Sequence, residues 1–154
     1  MDQEYPIVTL GRPVPDSIPV TSKFGLRVIN GLPDFHPGVD FGAPAGTPVA
    51  AVSDGTVDRE GWENPAIPTQ GYGLRIVQTV ERTGGVAYLV WYGHLSEILV
   101  TPGQTITKGQ IIAKTGATGK CISSHGGTGA HIHITAKTAD GQLCEPRFDP
   151  PAVA

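Results

Sequence analysis

Five histidines (His36, His94, His125, His131 and His133) and one aspartate, Asp40, have the types and spacings to organise a chemical centre in this chain. His36 and Asp40 stand four apart in FHPGVDFG, residues 35–42. That spacing serves metal sites on helices, where one turn brings both side chains to one face. Pro37 and Gly38 rule against a helix here. An extended chain solves the problem differently, because side chains at i, i+2 and i+4 share a face. His131 and His133 form HIH, so both rings leave one face of a strand while Ile132 and Ile134 leave the other. His94 closes the aromatic stretch WYGHL.

A solitary strand histidine is most often a structural residue satisfied by its neighbours. An HxH pair beside an extended HxxxD is different, because desolvating several imidazoles together is unfavourable unless something organises them. A metal ion does so. Three imidazole and carboxylate ligands, with a fourth position open to water, describe a catalytic zinc site better than a structural one. The candidate ligands are His36, Asp40, His131 and His133. Spacing does not decide which member of the HxH pair binds metal and which stands beside the open position. No HExxH occurs and no glutamate lies in these motifs. The base must come from elsewhere, and a spare histidine is the available group.

The elements that carry these residues must be strands. Glycine (21) and proline (14) punctuate the 154 residues so densely that the longest stretch free of both is the eleven residues Ala130 to Asp140. Long helices are almost excluded. What remains is short runs rich in Val, Ile, Thr and Tyr between turn signals. PVAAVSDGTVDRE holds a turn at Asp54-Gly55, GLRIVQTV and VAYLVWY flank ERTGG as a hairpin, and AHIHITAKT is a last strand followed by GQLCEPRF. Residues 61–71 and 117–129 read as loops. The expected fold is a mainly β domain with an antiparallel sheet, long active-site loops and little helix. Residues 1–20, with four prolines, are expected to pack along the surface of a domain spanning 21–150, with 151–154 as a tail.

Composition narrows the class. The length suits one domain with a real core. A net charge of −3 gives no sign of a nucleic-acid or anionic-surface partner, and no apolar run reaches membrane-spanning length. The opening MDQEYPIVTLGRP lacks the basic and apolar regions of a secretory signal. The expectation is a chain made in the cytosol, delivered by another route, or cut from a longer parent. Cys121 and Cys144 fit no zinc-ribbon or CxxC spacing. Two readings stand for them, small buried thiols or a disulfide between the loop before the HIH strand and the segment after it.

Taken in order, HxxxD, a strand ending in GHL and a Gly-rich loop leading into HxH resemble the lysostaphin/LytM-type zinc metallopeptidases, the M23 family. The flanking residues agree: SKFGLR (22–27), HPGVDFGAPAGTPVAAVSDGTV (36–57), YGHLS (92–96), PGQTITKGQIIAKTGATG (102–119) and GAHIHI (129–134). The resemblance runs from about Thr21 to Pro150. It implies a β core related to the barrel-sandwich of biotin and lipoyl carriers, with 102–116 as the hairpin such domains share. It implies that His36, Asp40 and His133 hold Zn²⁺ and that His94 and His131 are catalytic. His131 would deprotonate the attacking water, and His94 would donate to the oxyanion. The substrate implied is the peptide part of bacterial peptidoglycan, at the cell wall or in the periplasm. The setting is a phage virion, release at lysis, or a larger enzyme. Activity is then expected to fall in mild acid as the imidazoles protonate.

The other class weighed within the resemblance is a non-catalytic LytM-like module that activates a partner amidase, but such modules usually lack some ligands and here the set is complete. A biotin or lipoyl carrier would need a modified-lysine motif, absent around Lys108 and Lys114. A non-haem iron oxygenase fits the motif order poorly. The loop before HxH is longer than is typical and carries Cys121 and His125, the latter read as solvent-exposed. Trp62 in the 61–71 loop is a candidate cleft wall, Arg27 a substrate contact or surface pair, and Tyr92, two before His94, a neighbour on the same face.

Overall fold

The computed structural model describes residues 5–67, 69–82, 85–119 and 129–149, and among them there is no helix. Accordingly, no helix among them is long and apolar enough to cross a membrane. The chain forms β1 (Ile7–Leu10), β2 (Val20–Ser22), β3 (Gly25–Ile29), β4 (Leu32–His36), β5 (Val39–Phe41), β6 (Pro48–Ala50) and β7 (Gly55–Trp62). It continues as β8 (Leu74–Arg82), β9 (Gly85–Ile98), β10 (Thr105–Ile106), β11 (Ile111–Thr115), β12 (Ile132–Thr138) and β13 (Leu143–Phe148). The mainly β, largely antiparallel architecture is the one expected from the turn-punctuated sequence.

Eleven strands form one curled sheet with a main path β1-β13-β12-β9-β8-β7-β10. Its curl follows from two strands that change partners along their length. β12 has β9 along one edge, while the other edge is shared by β5 at its start and β13 at its end. The fourteen-residue β9 pairs first with β12 and then, beyond His94, with β11. The enclosed core is apolar and fully buried, with Phe41, Val49, Ile76, Leu95, Ile112, Ile132 and Ile134 at its centre. Each such side chain contributes about 1.5–3 kcal/mol by leaving water.

Three sequence expectations change. The β8–β9 hairpin forms, but β10 and β11 do not pair with each other. Gly109, at φ +90°, turns the chain between them so that β10 joins β7 and β11 joins β6 and β9. HIH does not lie on the last strand, since β13 follows and pairs with β12. The proline-rich start enters the sheet as β1, parallel to β13, and buries Leu10 and Val14.

A separate hairpin, β3–β4, stands off the main sheet. Its turn is Asn30-Gly31, with φ of +52° and +80°, the left-handed pair that a two-residue hairpin turn requires. Tyr5 and Phe35 each pack edge-on against Phe24 at its base and tilted against each other, with ring centres 5.3–5.7 Å apart.

Candidate metal centre

His36 ends β4 and Asp40 sits in β5, so Pro37-Gly38 lies where the chain passes closely over β12. A Cβ on Gly38 would stand 2.2 Å from the Ile134 carbonyl oxygen and 2.7 Å from His133 Nε2. The glycine of HPGVD is therefore a packing requirement of the site. In the β5–β12 ladder Asp40 is directly opposite His133, and directly opposed residues share a sheet face.

Three donor atoms converge there. His133 Nδ1 is 2.7 Å from Asp40 Oδ1 and 3.2 Å from His36 Nε2, which is itself 3.3 Å from Asp40 Oδ2. All lie within 4.8 Å of one another. The remaining ring nitrogens point outward to fixed partners. His36 Nδ1 is 3.0 Å from the Lys23 carbonyl oxygen, with Ser22 Oγ at 3.3 Å, and His133 Nε2 is 2.6 Å from Thr135 Oγ1. A carbonyl oxygen only accepts, so His36 carries its proton on Nδ1. His36 Nε2 is thereby turned toward a carboxylate oxygen and a second imidazole nitrogen. Only shared protons or a cation make such a convergence favourable. Two nitrogens, one carboxylate and ring-orienting outer hydrogen bonds fit a zinc-type ion.

The electrostatics agree. Burial pushes the Asp40 carboxyl upward, but hydrogen bonds with His133 and His36 outweigh it and hold the group well below the ordinary carboxylate range. Burial depresses His133, outweighing the neighbouring Asp40. Asp40 thus stays charged and His133 neutral, the forms in which each ligates.

His94 and His131 complete the constellation. Ile76 opposes Tyr92 and Leu74 opposes Leu95, so β9 carries one residue more than β8 across this interval. The extra residue is a bulge with His94 in the left-handed region at φ +64°. Its ring lies 4.5 Å, centre to centre, from that of His131. His94 Nδ1–H donates to the Thr118 carbonyl at 2.6 Å, and His131 Nδ1–H to the Gly129 carbonyl at 2.7 Å. These bonds fix both rings through Nδ1, so Nε2 is the nitrogen each can offer to chemistry. His131 Nε2 lies 3.7 Å from Asp40 Oδ1. Burial, and secondarily His131, depress His94 to about 4, so this ring does not protonate in mild acid and the expected loss there cannot come from it.

The bulge also corrects the reading of Tyr92. Alternation is broken between the two residues, and Tyr92 points into the core, where its hydroxyl donates to Gln78 Oε1 and accepts from the Val52 amide at 2.9 Å. Arg27 pairs across its hairpin with Asp34 at 2.7 Å and stands 3.9 Å from Asp40 Oδ2. From the 61–71 loop it is Gly71, followed by Tyr72, that lines the cleft, not Trp62. Cys121 and His125 lie outside the described residues, as do residues 120–128 of their loop. Tyr72, Thr118 and Thr135 are contacts that the sequence reading missed. Tyr72 OH donates to Thr135 Oγ1 at 3.2 Å, extending the chain that orients His133.

The five groups line a cleft of about 1180 Å³, walled by β3, the Ala43-Pro44 turn, Tyr72 and Gly129-Ala130. Comparison with known protein families matches residues 34–146 to Peptidase family M23. The chain belongs to this family. Among its relatives, the glycyl-glycine endopeptidase ALE-1 of Staphylococcus capitis is 39% identical over 90 residues, 58% of this chain and 23% of that protein. The catalytic domain of the antimicrobial peptidase lysostaphin from Staphylococcus simulans superimposes with a TM-score of 0.64 at 32% identity, covering 80% of this chain and 82% of that one. A zinc-containing peptidase from Vibrio cholerae gives a TM-score of 0.68 at 30% identity, over 91% of this chain and 40% of that one. The chain spans 18–26% of the length of its first curated relatives.

Proposed function

We propose that this chain is a zinc-dependent endopeptidase that hydrolyses peptide bonds in bacterial peptidoglycan, with residues 21–150 as the peptidase unit. One observation carries the reading. The His36/Asp40/His133 donor set shares an open cleft with two further imidazoles, His94 and His131, each anchored through Nδ1 to a backbone carbonyl so that Nε2 is the nitrogen left for chemistry. A carrier or a purely structural module has no use for that pair. Family membership, and relatives named as endopeptidases, support the substrate class.

His36 Nε2, His133 Nδ1 and an Asp40 oxygen would hold the ion. A bound zinc ion supplies a Lewis acid that polarises a carbonyl and brings the pKa of water toward neutrality. The protein's own groups manage the protons. His131 Nε2, nearer the ligand set, accepts the proton of the attacking water. Its Nδ1–H bond to Gly129 fixes the ring for this task and favours the resulting imidazolium. His94, fixed by Thr118, also presents an acceptor. It donates to a developing oxyanion only after protonation, so its part is to take up a proton and return it to oxyanion or leaving amine. The cleft accepts an extended peptide, and the bacterial cell wall is where such peptides lie.

The test is mass spectrometry of peptidoglycan fragments after incubation with the zinc-loaded protein beside a His133→Ala control. New peptide termini made only by the wild type are expected, and they identify the bond. No cleavage by protein that retains its zinc would overturn the reading.

A further inference from the structure

Five consecutive residues of the β3–β4 hairpin, Leu26 to Asn30, line the cleft. Alternate side chains of a strand point to opposite faces, so an uninterrupted run of cleft residues means that the strand presents its edge. The β3–β4 register fixes which backbone groups lie on that edge. Ile29 opposes Leu32 across the two-residue Asn30-Gly31 turn, and the pair that closes such a turn exchanges hydrogen bonds. Counting back, Arg27/Asp34 and Gly25/His36 exchange hydrogen bonds, while Val28/Pro33 and Leu26/Phe35 do not. Pro33 confirms the phase independently, because it has no N–H to give Val28.

The amides and carbonyls of Leu26 and Val28 therefore point away from β4. Among the described residues no strand pairs with that edge. The opposite edge of the hairpin is different, since Pro33 deprives β4 of a donor there. Leu26 and Val28 are also 85% and 70% exposed, so nothing among the described residues covers the open side. The edge starts at Gly25, register partner of the metal-ligand candidate His36, and runs outward for about 13 Å at ~3.3 Å per residue.

We propose that the peptide substrate binds by strand addition, its backbone on one side of the scissile bond pairing with the outer edge of β3 through Leu26 and Val28. The proposal rests on the endopeptidase reading for the identity of the peptide. The occupant is an extended peptide because the edge is continuous with the candidate catalytic cleft and offers an alternating donor and acceptor ladder that only another backbone matches. Recognition then depends on backbone length more than on side-chain identity. Side chains of the added strand alternate between the Leu26/Val28 face and the Arg27 face.

Amide hydrogen exchange on the zinc-loaded His131→Ala protein tests this, with pentaglycine and a D-alanyl-cross-linked stem-peptide dimer as probes up to millimolar concentration. One probe should slow exchange at Leu26 and Val28 by about tenfold or more, the effect of about one added hydrogen bond each, and leave Phe35 on the β4 edge unchanged. Unprotected Leu26 and Val28, slowing at Phe35 instead, or no binding of either probe overturns the proposal. In turnover by the otherwise unaltered enzyme, Val28→Pro, which removes the outward amide, should raise KM at least about fivefold more than Val28→Thr, which keeps it, with similar kcat. Equal KM values for the two overturn it. The two readings fail separately. Cleavage of a probe that leaves β3 unprotected sinks strand addition and keeps the peptidase. Protection of β3 while wild type leaves both probes and whole peptidoglycan intact supports strand addition and sinks the peptidase.

Discussion

Asp40 Oδ1 and His133 Nδ1 lie 2.7 Å apart across the β5–β12 ladder, although 93 positions separate the residues in sequence. Backbone register, not side-chain reach, makes this contact, so these two ligand candidates come together as soon as the two strands pair. The protein should bind one zinc ion per chain, and His133→Ala or Asp40→Ala should abolish stoichiometric binding by elemental analysis. Because binding to the folded state alone stabilises it, free metal at a thousandfold excess over Kd adds about 4 kcal/mol. Chelation should lower the unfolding midpoint of the wild type and leave that of His133→Ala in place. Equal responses would mean that these residues hold no ion.

Thr135 is fully buried and places Oγ1 2.6 Å from His133 Nε2, with the Tyr72 hydroxyl donating to the same oxygen. Thr135→Val preserves shape and deletes the shared partner. Zinc affinity, read by chelator competition, should drop about 10–100-fold, as for other losses of a ligand-orienting hydrogen bond. The apo protein should lose about 1–3 kcal/mol for the buried donors left unpaired. Tyr72→Phe removes only the more distant donor and should have the smaller effect on affinity. The reverse order would place the orienting role elsewhere.

What could be read without coordinates was what depends on short spacing. HIH announced its shared-face pair because strand alternation operates over two residues, whereas His36 and Asp40 converge not along one strand but across the bend at Pro37-Gly38 between β4 and β5. The strand-rich character followed from glycine and proline density. What could not be read was whatever depends on register. Tyr92 and His94 look like same-face residues until the bulge, marked by the left-handed backbone at His94, turns them apart. The 102–116 segment looks like a hairpin until its two strands take different neighbours. Thr135, two residues after His133, could have been found from HIHIT by extending the same-face rule one step. Asn30-Gly31 was a legible turn signal for the β3–β4 hairpin and went unused.

Thr118 reaches His94 only because two backbones approach closely. A Cβ on Gly119, at φ +78°, would lie 2.4 Å from both the Gly71 carbonyl oxygen and the Gly73 amide nitrogen. Gly119→Ala must push the loop away and take the Thr118 carbonyl from His94 Nδ1. Turnover should fall by about tenfold to a hundredfold, the scale of a misplacement near 1 Å, with zinc content retained. Gly103→Ala is the control, since Gly103 has a comparable φ of +85° with open space around it. It should lower stability slightly and leave turnover intact. Equal loss of turnover in both variants would reduce the effect to backbone strain.

Acid should destabilise the metal-free fold in a window set by His94. Burial and the adjacent His131 hold this ring down to about 4, against about 6.5 for a free imidazole. As pH falls, the unfolded chain takes the proton first. The stability contributed by neutral His94 is therefore complete above about 6.5 and is lost as pH drops toward about 4. His133 is shifted the same way by burial and adds to the trend. One full proton of difference corresponds to a slope of about 1.4 kcal/mol per pH unit. Urea unfolding of chelated protein at intervals across this window should show stability falling steadily. His94→Phe, which keeps an aromatic ring but cannot titrate, should give a slope shallower by up to that amount. An unchanged slope would mean that His94 is as readily protonated in the fold as in the unfolded chain, and its assignment as a neutral, proton-accepting ring at working pH would fall with it.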